Sequence, residues 1–273
     1  MNFARMRDGA RIVYDDIGGG CGPTIVFAHC LGGSRAVWAP LIALLQARYR
    51  CVAYDLRGQG DSATTPGPYS MAQLAGDALD LLDTLAIERC VFAGVSMGGM
   101  VAQELALLAP QRLSGLVLAD TGAGFDPSGR AAWAERIAQV RRDGVAPMVE
   151  VMMGRWFSEG FRRQHPEIIE PIAATLAGTD VEGYAAACAA IRDHDFAARL
   201  GQITLPTLVV CGEHDPSTPL ALSQALAAGI PGARLEVLAG LNHLPNVEAP
   251  ALFSGVVENF LQVEGIAAVS VTQ

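Results

Sequence analysis

Lysine is absent from this chain, and all 19 basic residues among its 273 positions are arginine. A protein without lysine cannot form a Schiff base through an ε-amino group, and it cannot hold a nucleotide phosphate with a P-loop lysine. The absence therefore excludes both kinds of site before any motif is considered.

Paired cysteines are absent as well. The six cysteines show no C-x-x-C motif and no paired spacing: Cys21, Cys30, Cys51, Cys90, Cys188 and Cys211. Four of them lie in or beside apolar, strand-like runs. This pattern predicts free, mostly buried thiols in a reducing compartment.

Charged residues are few, and acidic ones outnumber basic ones. Charged residues make up 17% of the chain against 51% hydrophobic residues, and the net charge is −9. This composition predicts a sizeable core and disfavours nucleic acid as a partner. The amino terminus, "MNFARMRDGARIVYDD", lacks the apolar core of a signal peptide, and glycines and Glu104 interrupt the longest nearly uncharged run, Cys90–Pro110. We expect a cytoplasmic protein with no membrane partner, and both a monomer and a homo-oligomer stay open.

Short apolar runs alternate with longer periodic ones, which is typical of a mainly parallel sheet covered by helices. In the clearest helix, Ser70 and Gln73 form a capping box, and Asp77, Asp80 and Asp83 occupy a face that we predict to be solvated. Seven strands are predicted, in the segments "ARIVYDDIG", "TIVFAH", "RCVAYDL", "RCVFAGV", "GLVLADT", "TLVVCG" and "RLEVLAG".

The alternation breaks between about Gly122 and Thr204, where helical periodicity continues without convincing strands. We interpret this segment as a helical cap inserted into an α/β core. The predicted organisation is a first part of the core over residues 1–122, the cap over 123–203 and a second part of the core over 204–273. The predicted fold class is therefore α/β, with a mostly parallel central sheet.

The segment "GVSMGG", Gly94 to Gly99, follows an apolar strand and precedes a helical run. In that context G-x-S-x-G is typical of a nucleophile elbow, in which Ser96 sits on a strained turn between strand and helix. The turn also puts the Met97 N–H at a helix N-terminus, where it can stabilise a developing oxyanion.

A serine nucleophile needs a base, and five histidines are candidates: His29, His165, His194, His214 and His243. The chain order Ser…Asp…His expected for this architecture selects Ser96, Asp215 and His243. Asp215 follows the strand "TLVVC", so it is expected at the same sheet edge as Ser96. Asp120, which follows the preceding strand, is the alternative orienting acid.

The adjacent His29 and Cys30 suggest at first a thiol nucleophile or a metal site. However, "TIVFAHCLGGS" ends a strand in the position where this architecture supplies a second oxyanion donor, and the Leu31 N–H is our candidate. His29 and Cys30 would then shape the loop. No metal site is predicted, because no third ligand lies nearby in the sequence.

The chain resembles the α/β-hydrolase superfamily over nearly its whole length. Four segments are typical of that superfamily: "GVSMGG", "YDLRGQGDS", "VVCGEHD" and "LNHLPNVEAP". Within it, "HCLGGSRAVW", "RWFSEGF" and "AAIRDHDF" are most similar to 3-oxoadipate enol-lactonases. The resemblance implies the α/β-hydrolase fold and a cofactor-free serine hydrolase acting on a small lactone. It also implies substrate contacts from Arg155, to a carboxylate, and from Trp156, as an apolar wall.

One departure leaves the substrate open. Lactonases of this kind often carry Asn-Ser where this chain has His29-Cys30, and His at the first position is common among esterases, C–C hydrolases and cofactor-free haloperoxidases. The alternatives are therefore a carboxylesterase or perhydrolase-like enzyme of broader range, and a ligand-sensing protein that uses the same pocket for binding.

Overall fold

The computed structural model describes residues 2–266. Its strands form one eight-stranded sheet. They are β1 (Asn2–Arg5), β2 (Arg11–Ile17), β3 (Ile25–Ala28), β4 (Cys51–Tyr54), β5 (Cys90–Val95), β6 (Leu113–Ala119), β7 (Thr207–Gly212) and β8 (Arg234–Leu238).

The strand order across the sheet is β1-β2-β4-β3-β5-β6-β7-β8. β1 pairs antiparallel with β2, and β2 pairs antiparallel with β4, whereas every pairing from β4 to β8 is parallel. Strands β3, β4, β5 and β7 are buried along their whole length, as expected for parallel strands with helices on both faces. The predicted mostly parallel α/β sheet is confirmed.

All seven predicted strands are present, and β1 is the one that the sequence did not predict. Three of its four residues are exposed, so it lacks the apolar run that marks the other strands. Of the cysteines, Cys21 is exposed and the other five are buried free thiols.

Eleven α-helices lie within residues 2–266. They are α1 (Ala39–Leu45), α2 (Met71–Thr84), α3 (Met97–Leu108), α4 (Pro127–Asp143), α5 (Val149–Trp156), α6 (Glu159–Gln164), α7 (Pro166–Ala177), α8 (Val181–Asp193), α9 (Leu220–Gly229), α10 (Pro245–Glu248) and α11 (Pro250–Val263). None of them combines the length and the apolarity needed to cross a membrane.

Helix α2 begins where the capping box predicts, because the Ser70 hydroxyl accepts a hydrogen bond from the Gln73 N–H at 3.1 Å. The prediction that Asp77 is solvated is wrong. This residue is 3% exposed, and its Oδ2 accepts a hydrogen bond from Nε of Arg57 at 2.8 Å. A charged side chain can be buried when an opposite charge satisfies it, and periodicity alone does not reveal that partner.

The helical cap between β6 and β7 consists of helices α4 to α8. Within it α4 packs against α8 and α5 against α7. The chain enters and leaves the cap at neighbouring points, since Gly124 and Asp195 form an antiparallel bridge and the Phe196 N–H donates to the Ala123 carbonyl at 2.7 Å.

Candidate active site

The turn between β5 and α3 holds Ser96 in a conformation that few non-glycine residues adopt, with φ +56° and ψ −116°. Two flanking glycines make this turn possible. A Cβ on Gly94 would lie 2.1 Å from the Gly98 carbonyl oxygen, and a Cβ on Gly98 would lie 2.1 Å from that of Ala28. The geometry is therefore that of the elbow predicted from "GVSMGG".

The carboxyl ends of β5 to β8 bring four residues to one edge of the sheet. Ser96 directly follows β5, Asp120 follows β6, Asp215 comes shortly after β7 and His243 comes after β8. These strands are consecutive neighbours, so the residues after their ends converge. Ser96 and His243 line one cavity.

His243 is held by Asp215. Nδ1 of the imidazole lies 2.8 Å from Oδ2 of the carboxylate, and the two side chains are 3% and 0% exposed. Because an ionised carboxylate only accepts hydrogen bonds, Nδ1 carries the proton and Nε2 is left as the acceptor. An imidazole in this state can take a proton from a hydroxyl.

The Asp215 carboxylate has two further donors that the sequence analysis missed. Its Oδ1 accepts the Ser217 N–H at 2.7 Å, and its Oδ2 accepts the Thr218 hydroxyl. Asp followed two residues later by Ser is a signal for such a local turn, so "DPST" could have revealed this arrangement. Burial alone would raise the Asp215 pKa, but the charge of His243 and these hydrogen bonds lower it to about 2.

Asp120, the alternative acid, has a different environment. Its Oδ1 accepts the Gly212 N–H at 2.8 Å, and its backbone φ is +44°. The side chain is fully buried, and one of its carboxylate oxygens lies within 4.8 Å of a carboxylate oxygen of Asp215 and a ring nitrogen of His243. Burial, followed by the neighbouring charge of Asp215, holds the Asp120 pKa well above its ordinary value. Of the two neighbouring carboxyl groups, Asp120 therefore has the raised pKa and Asp215 the lowered one.

Asp120, Asp215 and His243 are close enough together to offer ligands to a metal ion. However, Oδ2 of Asp215 already contacts His243 and Thr218. The absence of a metal site stays a prediction.

The two predicted oxyanion donors come from different segments, Leu31 from the loop after β3 and Met97 from the first position of α3. Within residues 2–266, neither the Leu31 N–H nor the Met97 N–H donates to a protein acceptor. Leu31 lines the cavity, whereas Met97 is fully buried at the start of α3, and the oxyanion role of both N–H groups stays a prediction. Free amides of this kind can stabilise negative charge on a substrate oxygen.

His29 holds the loop that carries Leu31. Its Nδ1 lies 2.7 Å from the Cys30 carbonyl, and its Nε2 accepts the Leu56 N–H at 2.9 Å. Both ring nitrogens are therefore engaged with backbone groups. Burial raises the Cys30 pKa to about 12, so this thiol stays protonated although it lines the cavity.

The other three histidines lie outside the cavity. His165 is half-buried beside Glu167, and His214 is exposed beside Glu213. His194 is buried, and its Nδ1 lies 2.6 Å from the Ile191 carbonyl.

The cap forms the opposite wall of the cavity. Arg155 and Trp156, the predicted substrate contacts from α5, both line it. So do Trp133 and Arg136 from α4, which the sequence analysis did not single out. Their i, i+3 spacing puts them on one helix face, but a periodicity does not reveal which face meets a cavity. The cavity volume is about 60 Å³.

Several proteins that are similar to this chain are named as hydrolases. The chain is 39% identical to 3-oxoadipate enol-lactonase 2 of Acinetobacter baylyi, over 86% of this chain and 87% of that protein. It is 32% identical to a Variovorax paradoxus protein provisionally named carbamate hydrolase RutD, over 91% and 95% of the two chains. The crystal structure of the enol-lactonase from Burkholderia xenovorans LB400 superimposes with a TM-score of 0.91 at 34% identity, over 96% of this chain and 100% of that one.

The family profile described as alpha/beta hydrolase fold matches residues 23–250. That range contains the elbow serine, the buried Asp–His pair and the cap that covers them. This chain belongs to the α/β-hydrolase family.

Proposed function

We propose that the protein is a serine hydrolase that opens a small lactone through an acyl-serine intermediate, and that 3-oxoadipate enol-lactone is its substrate. One observation carries the reaction type. The Ser96 hydroxyl shares a cavity with an imidazole whose Nδ1 is held by a buried carboxylate. The specific substrate rests on the enol-lactonase relatives.

In the first half of the reaction, Nε2 of His243 takes the proton of Ser96 as Oγ bonds to the lactone carbonyl carbon. The N–H groups of Leu31 and Met97 stabilise the negative oxygen of the tetrahedral intermediate. The bond to the ring oxygen then breaks, and the leaving oxygen takes the proton from His243. With an enol-lactone the leaving group is an enol, which tautomerises to a ketone.

In the second half, the same imidazole takes a proton from water, which attacks the acyl group on Ser96. The acid is released, and the serine recovers its proton. Asp215 keeps the imidazole in the tautomer that both halves need and stabilises its charged form.

Arg155 and Trp156 are proposed to select the substrate. A lactone with a carboxymethyl substituent brings a negative charge into the cavity, and a guanidinium can bind it through two parallel hydrogen bonds. Trp156, which is 1% exposed, would form an apolar wall beside the ring.

A substrate panel tests the proposal. Wild-type protein should hydrolyse 3-oxoadipate enol-lactone with a higher kcat/KM than simple aryl esters or carbamates, and Ser96→Ala should lower kcat by about 10⁶-fold while the melting temperature stays near that of wild type. A preference for aryl esters would favour the carboxylesterase or perhydrolase-like alternative. A preference for carbamates would favour the activity named for the Variovorax paradoxus relative.

The ligand-sensing alternative makes a different prediction. A sensor would turn over slowly and retain its product tightly, so single-turnover and multiple-turnover rates would differ strongly. Undiminished activity in Ser96→Ala would contradict every alternative that uses an acyl-serine.

A further inference from the structure

The cavity above Ser96 is positively charged, although the chain as a whole carries a net charge of −9. Two guanidinium groups line it, those of Arg136 and Arg155. Among the described residues, no Asp or Glu side chain lines the cavity. Asp215 lies behind His243 and is already engaged by it. Within residues 2–266, both charged side chains on the cap wall of the cavity are therefore cationic.

These two arginines differ from the others in the cap. Helices α4 to α8 carry eight arginines, and six of them form salt bridges with Asp or Glu: Arg130, Arg141, Arg142, Arg162, Arg163 and Arg192. The remaining two, Arg136 and Arg155, form no salt bridge with any residue in 2–266. They are also the two that face the cavity. The cap thus neutralises the arginines on its outer surface and leaves those above Ser96 without a carboxylate.

Arg136 is held in place without being neutralised. Its guanidinium lies 5.2 Å from the ring centroid of Trp133, one helical turn earlier on α4. Its Nη1 contacts only the Met152 thioether sulfur at 3.6 Å and the Tyr184 hydroxyl at 3.5 Å. A thioether is a weak acceptor and both contacts are long, so most of the five N–H donors lack a strong protein acceptor. A planar cation fixed against an aromatic ring with free donors is well suited to bind a carboxylate through two hydrogen bonds.

From these contacts we infer that Arg136 binds a carboxylate of the substrate, together with Arg155, in a two-arginine anion site on the cap wall. The inference rests on the proposed hydrolysis of an ester or lactone, and it restricts the class of substrate. The substrate carries a negatively charged group away from the carbonyl that Ser96 attacks. Arg136 is then a specificity-determining residue that binds substrate and takes no part in proton transfer.

The test compares two esters of matched length, the 4-nitrophenyl half-ester of glutaric acid, which has a free carboxylate, and 4-nitrophenyl pentanoate, which has none. Arg136→Gln should lower kcat/KM for the half-ester by about 10- to 100-fold, the loss expected for a charge-assisted contact, and should lower it much less for the neutral ester. Arg136→Lys should recover part of the preference. Arg142→Gln is the matched control, since Arg142 lies on the same helix, is exposed and pairs only with its neighbour Asp143.

Equal losses on both esters would overturn the inference, because a residue that only shapes the cap would affect them alike. If the wild type hydrolyses neither these esters nor 3-oxoadipate enol-lactone, the proposed function is contradicted instead. In that case equilibrium binding of adipate to Ser96→Ala protein decides the inference by itself. Titration calorimetry should show at least tenfold weaker adipate binding when Arg136→Gln is added, and unchanged affinity would overturn the inference.

Discussion

Nδ1 of His243 lies 2.8 Å from Oδ2 of Asp215, while the carboxyl of Asp120, one strand away, is engaged by the Gly212 N–H. Of the two carboxyl groups near the imidazole, that of Asp215 is hydrogen-bonded to it and that of Asp120 is bonded to the backbone instead. Chain order selected the same residue, but only the hydrogen bonds separate the two acids.

Asp215→Asn should lower kcat by about 10³- to 10⁴-fold, because an amide can donate to Nδ1 and thereby favour the wrong imidazole tautomer. Asp120→Asn should cause a much smaller loss, since it leaves the contact to His243 in place. Steady-state kinetics on one ester substrate measures both. Comparable losses in the two variants would mean that Asp120 shares the role of orienting acid.

Asp120 should make the protein less stable as the pH rises. Its pKa in the folded protein lies well above the ordinary 3.8, so the folded state keeps a proton that the unfolded state has lost. The stabilising contribution is complete below about pH 3.8 and is lost as the pH rises through the folded pKa.

Asp120→Asn should weaken this pH dependence. The amide mimics the protonated carboxyl, its oxygen can still accept the Gly212 N–H, and asparagine tolerates a positive φ. Urea midpoints measured between about pH 4 and pH 8 should fall less for this variant than for wild type, with Asp143→Asn as an exposed control. Parallel profiles would show that Asp120 is ionised in the folded protein.

Thr218 should act on the reaction through Asp215. Thr218→Val removes the hydroxyl that donates to Oδ2, which should raise the Asp215 pKa from about 2 and lower kcat roughly tenfold. Thr218→Ser keeps the donor and should retain most of the activity. If the serine variant loses as much as the valine variant, the methyl group of Thr218 matters more than its hydrogen bond.

Gly98→Ala should distort the elbow. The added Cβ would lie 2.1 Å from the Ala28 carbonyl oxygen, so backbone must shift at a cost of about 1–3 kcal/mol, and activity should fall with the melting temperature. Gly76→Ala is the matched control, because a Cβ there meets nothing within 4 Å. In helix α2 it should stabilise the protein by about 0.5–1 kcal/mol. Unchanged activity in Gly98→Ala would show that the elbow can relax.

The sequence predicts the sheet and the residues at its edge because both depend on local rules. Strands with continuous apolar runs are recognisable, and a residue directly after a parallel strand lies at a known edge. Strand β1 was not predicted, because it is short and mostly exposed. Asp77 was misplaced because its partner, Arg57, lies 20 positions away in the chain.

The cap was harder to predict in detail. Periodicity indicates its helices, but Arg136 can be assigned to the cavity only when the packing of α4 over the sheet is known. Six other cap arginines look the same in the sequence and differ only in having a carboxylate partner. Side-chain roles of this kind depend on contacts between distant segments, which a single sequence does not encode in any local pattern.

The antiparallel bridge between Gly124 and Asp195 joins the two ends of the cap at one point of the scaffold. The chain between these residues leaves the scaffold and returns to the same point, so we expect that a segment of different length can replace it while β6 and β7 keep their path. We expect that exchanging the segment at this junction changes the cap wall of the cavity and leaves Ser96 and the Asp215–His243 pair in place. The architecture thus allows chemistry and recognition to evolve as separate modules.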